Sequence, residues 1–91
     1  MKSIIQTEKE CFFCGRTTCL HDHHVFFGNK NKKHSEKCGL KVWLCVEHHT
    51  GNESPHRSKE MNLFLKRIAQ AKFEENHSHK EFMDIFKKNY L

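Results

Sequence analysis

No stretch of the 91-residue chain approaches the roughly 18 to 20 consecutive apolar residues that a membrane span requires. The N-terminal MKSIIQTEKE also lacks the apolar segment of a secretory signal. Both absences lead to the expectation of a soluble, cytoplasmic protein with no membrane partner. Internal repeats are missing as well, and no linker is long enough to divide the chain, so residues 1–91 read as a single domain. Apolar material is scarce, at 36% hydrophobic residues against 30% charged. So short and polar a chain buries a thin core and is expected to need cross-links, either metal ions or disulfides.

The five Cys and nine His are the obvious suppliers of such cross-links. Thiols stay reduced in the cytosol, so a Cys-x-x-Cys pair beside many His reads as metal ligation rather than as a disulfide. The net charge of +5 favours an anionic partner such as nucleic acid without establishing one.

Along the chain, residues 1–10 are polar and read as a short tail or edge segment. The run CFFCG, from Cys11 to Gly15, has the form of a zinc knuckle, with a glycine that permits the tight turn. The β-branched and aromatic HVFF, His24 to Phe27, predicts a strand that enters a basic loop, NKNKKHSEK. LKVWLCV, Leu40 to Val46, alternates as a second strand able to pair antiparallel with the first. Ser54-Pro55 looks like an N-cap followed by proline at the first helical position. Met61, Phe64, Leu65, Ile68 and Ala69 then give a helix stripe to about Glu75. Ser78 and Glu81 form a capping-box pattern before a shorter helix carrying Phe82, Ile85 and Phe86, expected to end near Asn89. Residues 11–60 therefore hold the knuckle and a strand-rich core, and residues 61–91 a helical C-terminal part, in an α+β domain.

Two clusters of metal ligands carry the chemistry. Cys11, Cys14, Cys45 and His48 comprise a Cys-x-x-Cys and a Cys-x-x-His about thirty residues apart, enough to close a tetrahedral structural zinc site. The competing reading makes Cys45 an ordinary buried strand thiol. Cys19 and Cys38 have no partner at two-residue spacing and read as packing thiols. The second cluster is His23, His24, His49 and His56, of which three suffice to hold an ion while leaving coordination positions open. Adjacent strand residues point to opposite faces, so one of His23 and His24 ligates and its neighbour is free to act as a base.

HDHHV followed by WLCVEHHTG and a further His resembles the HNH endonucleases, the ββα-metal group, over about residues 11 to 60. In detail it is similar to small phage-borne members with a zinc knuckle. The resemblance implies a ββα-metal core and a metal-dependent DNA endonuclease, nicking or cutting both strands, as a homodimer or with a phage protein partner in a bacterial host. It assigns His23, His49 and His56 to a catalytic divalent ion (Mg2+, Mn2+, Ni2+ or Zn2+) and His24 to the general base that takes a proton from the attacking water. Cys11, Cys14, Cys45 and His48 match the family's structural Zn2+ quartet. Lys30, Lys32, Lys33 and Lys41, with Arg57, are candidates to lie along DNA phosphates.

The sequence departs from the family pattern in two places. TGNESP separates His49 from His56, where the family spacing is about one helical turn. The middle residue, which orients the base, has no obvious match, and the polar residues upstream of the second strand are Asn29, Asn31, His34 and Ser35. Both departures motivate the alternative of a catalytically inactive, zinc-stabilised DNA-binding or protein-interaction module.

Overall fold

The computed structural model describes residues 3–91, with Met1 and Lys2 and the side chain of Asn29 lying outside the described residues. Among these residues the chain forms two strands and four helices in the order β1 (Leu20–His24), α1 (Asn29–Cys38), β2 (Lys41–Cys45), α2 (Val46–Thr50), α3 (Lys59–Phe73) and α4 (His79–Phe86). It is a small α+β domain. β1 and β2 pair antiparallel, with His23 opposite Val42 and His24 opposite Lys41. No described helix is long and apolar enough to cross a membrane.

The first strand lies upstream of its predicted position. HVFF was the expected strand, yet β1 ends at His24 and Val25 adds only a last bond, from its N–H to the Leu40 carbonyl at 3.0 Å. Phe26 leaves the ladder because the buried Ser35 hydroxyl takes both of its backbone groups, accepting from its N–H at 3.1 Å and donating to its carbonyl at 2.7 Å. Gly28, at φ 101°, then turns the chain into α1. The lysine-rich stretch is thus a helix and not the expected loop. Its end carries the usual stop signals, Lys37 in the last turn and Gly39 in the left-handed region at φ 72°.

The segment 3–12 is an edge segment rather than a free tail. Ile4 N–H donates to the Gly39 carbonyl at 2.9 Å, the Gln6 side chain accepts from Trp43 N–H at 2.8 Å, and Phe12 N–H donates to the Trp43 carbonyl at 2.9 Å. These bonds cover the edge of β2 that β1 leaves open, which guards it against pairing with another chain.

The helix α3 begins later than Ser54-Pro55 suggests. Ser54 is buried in a turn, its hydroxyl donating to the Gly51 carbonyl at 2.6 Å, while Ser58 is the N-cap and accepts from Met61 N–H. α3 ends at Phe73, not Glu75, and buries Leu65, Ala69, Gln70 and Phe73, whereas Phe64 from the expected stripe is 52% exposed. The capping box of α4 is present, with Ser78 and Glu81 each satisfying the other's backbone N–H. That helix stops at Phe86, short of Asn89, because Lys87 takes a left-handed conformation.

The core gathers Val25, Phe26, Leu40, Val42, Leu44, Leu65, Ala69, Phe73, Phe82 and Phe86. Phe26 packs among its aromatic rings, with centroids 4.3 Å from Phe86, 5.5 Å from Tyr90 and 5.6 Å from Phe82. Each such buried phenylalanine contributes about 1.5–3 kcal/mol. The C-terminal helix is thereby pinned to the segment that follows β1, which fixes the strand bearing His23 and His24.

Candidate metal centres

The knuckle is a tight turn. Gly15 N–H donates to the Cys11 carbonyl and Cys11 N–H to the Arg16 carbonyl, each at 2.8 Å, and Gly15 has φ 79°. Cys45 ends β2 and leads into α2, which presents His48 one turn later. Cys11, Cys14, Cys45 and His48 thus bring their ligand atoms within 4.8 Å of one another. The Cys14 and Cys45 sulfurs are 3.8 Å apart, and His48 Nδ1 lies 3.2 Å from Cys45 Sγ and 3.7 Å from Cys11 Sγ. A tetrahedron with Zn–S bonds of about 2.3 Å places its sulfurs about 3.8 Å apart, so the quartet fits zinc. Burial pushes the Cys11 thiol up, but backbone N–H groups of Cys45, Cys14 and Phe13 directed at the sulfur outweigh it and bring it down to about 6. The sulfur is thereby prepared as a thiolate ligand.

All five cysteines are free thiols. Cys19 and Cys38 stand outside the quartet, as expected, but only Cys38 is partly packed; Cys19 is exposed, at φ 54°.

A second group of donors assembles from three elements. His23 comes from β1, His49 from α2 and His56 from the turn between α2 and α3, with their ligand atoms also within 4.8 Å of one another. Ring centroids are 5.4 Å apart for His23 and His49, 5.2 Å for His23 and His56, and 5.1 Å for His49 and His56. The turn at 51–58 carries His56: Ser54 accepts at its carbonyl from Arg57 N–H at 3.1 Å and Ser58 N–H at 2.6 Å, and His56 comes to lie beside His23 and His49.

His23 is the buried member, and its Nε2 has no hydrogen-bond partner. Such an orphan costs about 1–3 kcal/mol unless something fills it, and a cation beside two further imidazoles would do so. Burial, reinforced by His49 and His56, pushes His23 down to about 3. Burial and the neighbouring His56 and His21 push His49 down as well. Both rings are held neutral, the form that binds a metal.

The two histidine pairs each divide between neighbouring sites. On α2, His48 faces the cysteines and His49 the other imidazoles. On β1, His23 joins the triad while His24 stands on the opposite face, its Nε2–H donating to Glu36 Oε1 at 3.0 Å. A cavity of about 200 Å³ nevertheless brings the two faces together, lined by Asp22, His23, His24, Phe27, Lys32, His49 and His56.

Asp22, His24 and Glu36 form a third close group. Lys41 supplies its cation, with Nζ 2.6 Å from Glu36 and 3.4 Å from Asp22. Burial lowers the Lys41 pKa, but the Glu36 and Asp22 carboxylates outweigh it and the net shift is upward. Lys41 is 2% exposed, so this ammonium is committed to carboxylates and is not the phosphate contact expected of it. Lys30, Lys32, Lys33 and Arg57 are exposed, the three lysines along α1 and Lys32 at the cavity itself.

Of the residues proposed for the middle position, Ser35 is occupied with Phe26, and the His34 ring lies against Phe86 at 6.0 Å. Glu36 is the residue that bonds His24, and no motif in the sequence singles it out. Its one signal in the sequence is an acid inside a run of lysines. His21 was also overlooked, although strand alternation places it on the face of His23, where its Nδ1 lies 2.8 Å from His49 Nδ1.

No family model matches the chain, and comparison with curated proteins and with solved structures gives no match either.

Proposed function

We propose that the chain is a metal-dependent DNA endonuclease of the HNH type, hydrolysing or nicking phosphodiester bonds. The observation that carries this reading is the convergence of His23, His49 and His56 around an orphaned buried nitrogen, beside His24 in one open cavity. β1, β2 and α2 would be the ββα unit, since both strands and α2 contribute to the two ligand sets.

The quartet Cys11, Cys14, Cys45 and His48 would hold a structural zinc, fixing α2 and with it His49. His23, His49 and His56 would hold a divalent ion, which supplies charge neutralisation at a scissile phosphate. His24 takes the proton of the attacking water. Lys32 offers its ammonium to a phosphate at the cavity mouth, and Lys30, Lys33 and Arg57 offer theirs to flanking phosphates. Phe27 walls the cavity with an aromatic face. In support of this reading, the turn at 51–58 brings His56 to the other two imidazoles despite the long His49 to His56 spacing.

The test is cleavage of supercoiled plasmid with magnesium, manganese or nickel by the wild type and by His24→Ala. Loss of the base is expected to slow cleavage about 10²- to 10⁴-fold. A wild type that cuts with none of these ions overturns the assignment.

A further inference from the structure

We propose that Glu36 is the positioning residue of His24, selecting its tautomer so that Nδ1, and not Nε2, is the nitrogen that takes a proton. The proposal rests on the nuclease reading for what that proton is. Its structural part stands on the contacts of Glu36 alone.

An ionised carboxylate only accepts hydrogen bonds. Glu36 is held ionised by Lys41, whose ammonium donates to Oε2 at 2.6 Å. The bond of 3.0 Å between Glu36 Oε1 and His24 Nε2 therefore requires the hydrogen on Nε2. In the neutral ring that leaves the lone pair on Nδ1. Glu36 also fixes the ring plane, since its two oxygens are taken by two different partners, one on β1 and one on β2.

The linkage is built from rigid elements. His24 ends β1, Lys41 lies directly opposite it in the register of β2, and Glu36 is on α1, which joins the two strands. Ser35, the preceding residue, is fully buried and tied to the backbone of Phe26, so α1 has little freedom to rotate Glu36 away. The Lys41 side chain is 3% exposed and approaches Asp22 as well as Glu36, so it cannot follow solvent counter-ions. An ammonium on β2 thus anchors a carboxylate on α1 that holds an imidazole on β1.

The experiment uses the full chain with its zinc. Long-range proton–nitrogen NMR reads the tautomer of His24 in the wild type, Glu36→Ala and Glu36→Gln, and plasmid cleavage is measured on the same samples. The wild type is expected to show Nε2–H at His24. Glu36→Gln keeps an acceptor oxygen and is expected to retain that tautomer, while Glu36→Ala gives a mixture of tautomers and a mobile ring. The kcat of Glu36→Ala is expected to fall about 10- to 100-fold, the size of effect seen when partners that orient metal-bound histidines are removed, with KM unchanged. An Nδ1–H tautomer in the wild type, or a His24 spectrum unaltered in Glu36→Ala, overturns the proposal. So does a Glu36→Ala variant that cuts as fast as an active wild type. A wild type that does not cut defeats the nuclease reading, and the tautomer measurement still decides the role of Glu36.

Discussion

His21 Nδ1 lies 2.8 Å from His49 Nδ1, so one imidazole donates and the other accepts. For His49 to offer Nε2 to an ion, its hydrogen must sit on Nδ1, and His21 must be the acceptor. His21 then plays the part that carboxylates and carbonyls play behind other metal-binding imidazoles, setting tautomer and ring orientation. His21→Ala is expected to weaken divalent-ion binding at the triad about 10- to 100-fold while the cysteine quartet keeps its zinc. Competition with a chromogenic chelator measures both. Unchanged affinity at the weaker site would show that His21 does not orient His49.

The lysines separate by burial. Lys30, Lys32 and Lys33 stand exposed on α1, whereas Lys41 is paired with Asp22 and Glu36. A lysine that neutralises a phosphate releases a counter-ion, so each loss flattens the plot of log affinity against log salt by about 0.9. Alanine at Lys32 or Lys33 is expected to produce that change in DNA binding. Lys41→Met is expected to leave the slope alone and slow cleavage instead, by loosening Glu36. The idea fails if Lys41→Met flattens the salt dependence as much as Lys32→Ala does.

Phe26 is buried and ties the segment after β1 to Phe82, Phe86 and Tyr90 in the C-terminal part of the chain. Phe26→Ala should destabilise the domain by about 3–5 kcal/mol. Phe64, half exposed on α3, lacks comparable burial, and Phe64→Ser should change stability by less than about 0.5 kcal/mol. Urea denaturation at saturating zinc compares the two. Equal midpoints would mean that the C-terminal helix does not depend on Phe26.

Much of the ligand geometry was readable from spacing, and much of the backbone was not. Two-residue spacing in Cys11 and Cys14, and a helical turn from Cys45 to His48, constrain where donor atoms can go, which is why the quartet was visible. Strand alternation likewise separated His23 from His24, and applied once more it would have found His21. The helix α1 was obscured because its lysines and asparagines carry almost no apolar periodicity. It is held at a polar residue, Ser35, whose bonds to Phe26 also end β1 early. That serine explains why the strand does not continue through Phe26, and no local pattern reveals a hydroxyl bonding nine residues back. Ser54-Pro55 misled in a similar way, since a serine that caps a turn and a serine that caps a helix look alike until the chain beyond them is placed. Glu36 was hidden because its function depends on β1, α1 and β2 meeting.

The two donor sets should answer differently to loss of a ligand, because they are built into the fold to different depths. Cys45 is 2% exposed, ends β2 and opens α2, so its sulfur ties the sheet to the helix that carries both His48 and His49. Structural zinc in small domains contributes about 10–16 kcal/mol of apparent binding free energy, comparable with the whole stability of a domain. Cys45→Ser is therefore expected to lose the structural zinc and the folded circular dichroism spectrum together, and to lose the second ion as a consequence. His56 is exposed in a turn and lies outside the hydrophobic core cluster, its ring beside those of His23, His49 and Phe27. His56→Ala should keep the fold within about 1 kcal/mol, retain one tightly bound zinc and lose the chelator-sensitive ion. Elemental analysis before and after mild chelation, paired with thermal melts, reads each case. A His56→Ala protein that still binds two ions would remove that residue from the triad, and a folded, zinc-free Cys45→Ser protein would show that the quartet does not hold the domain together.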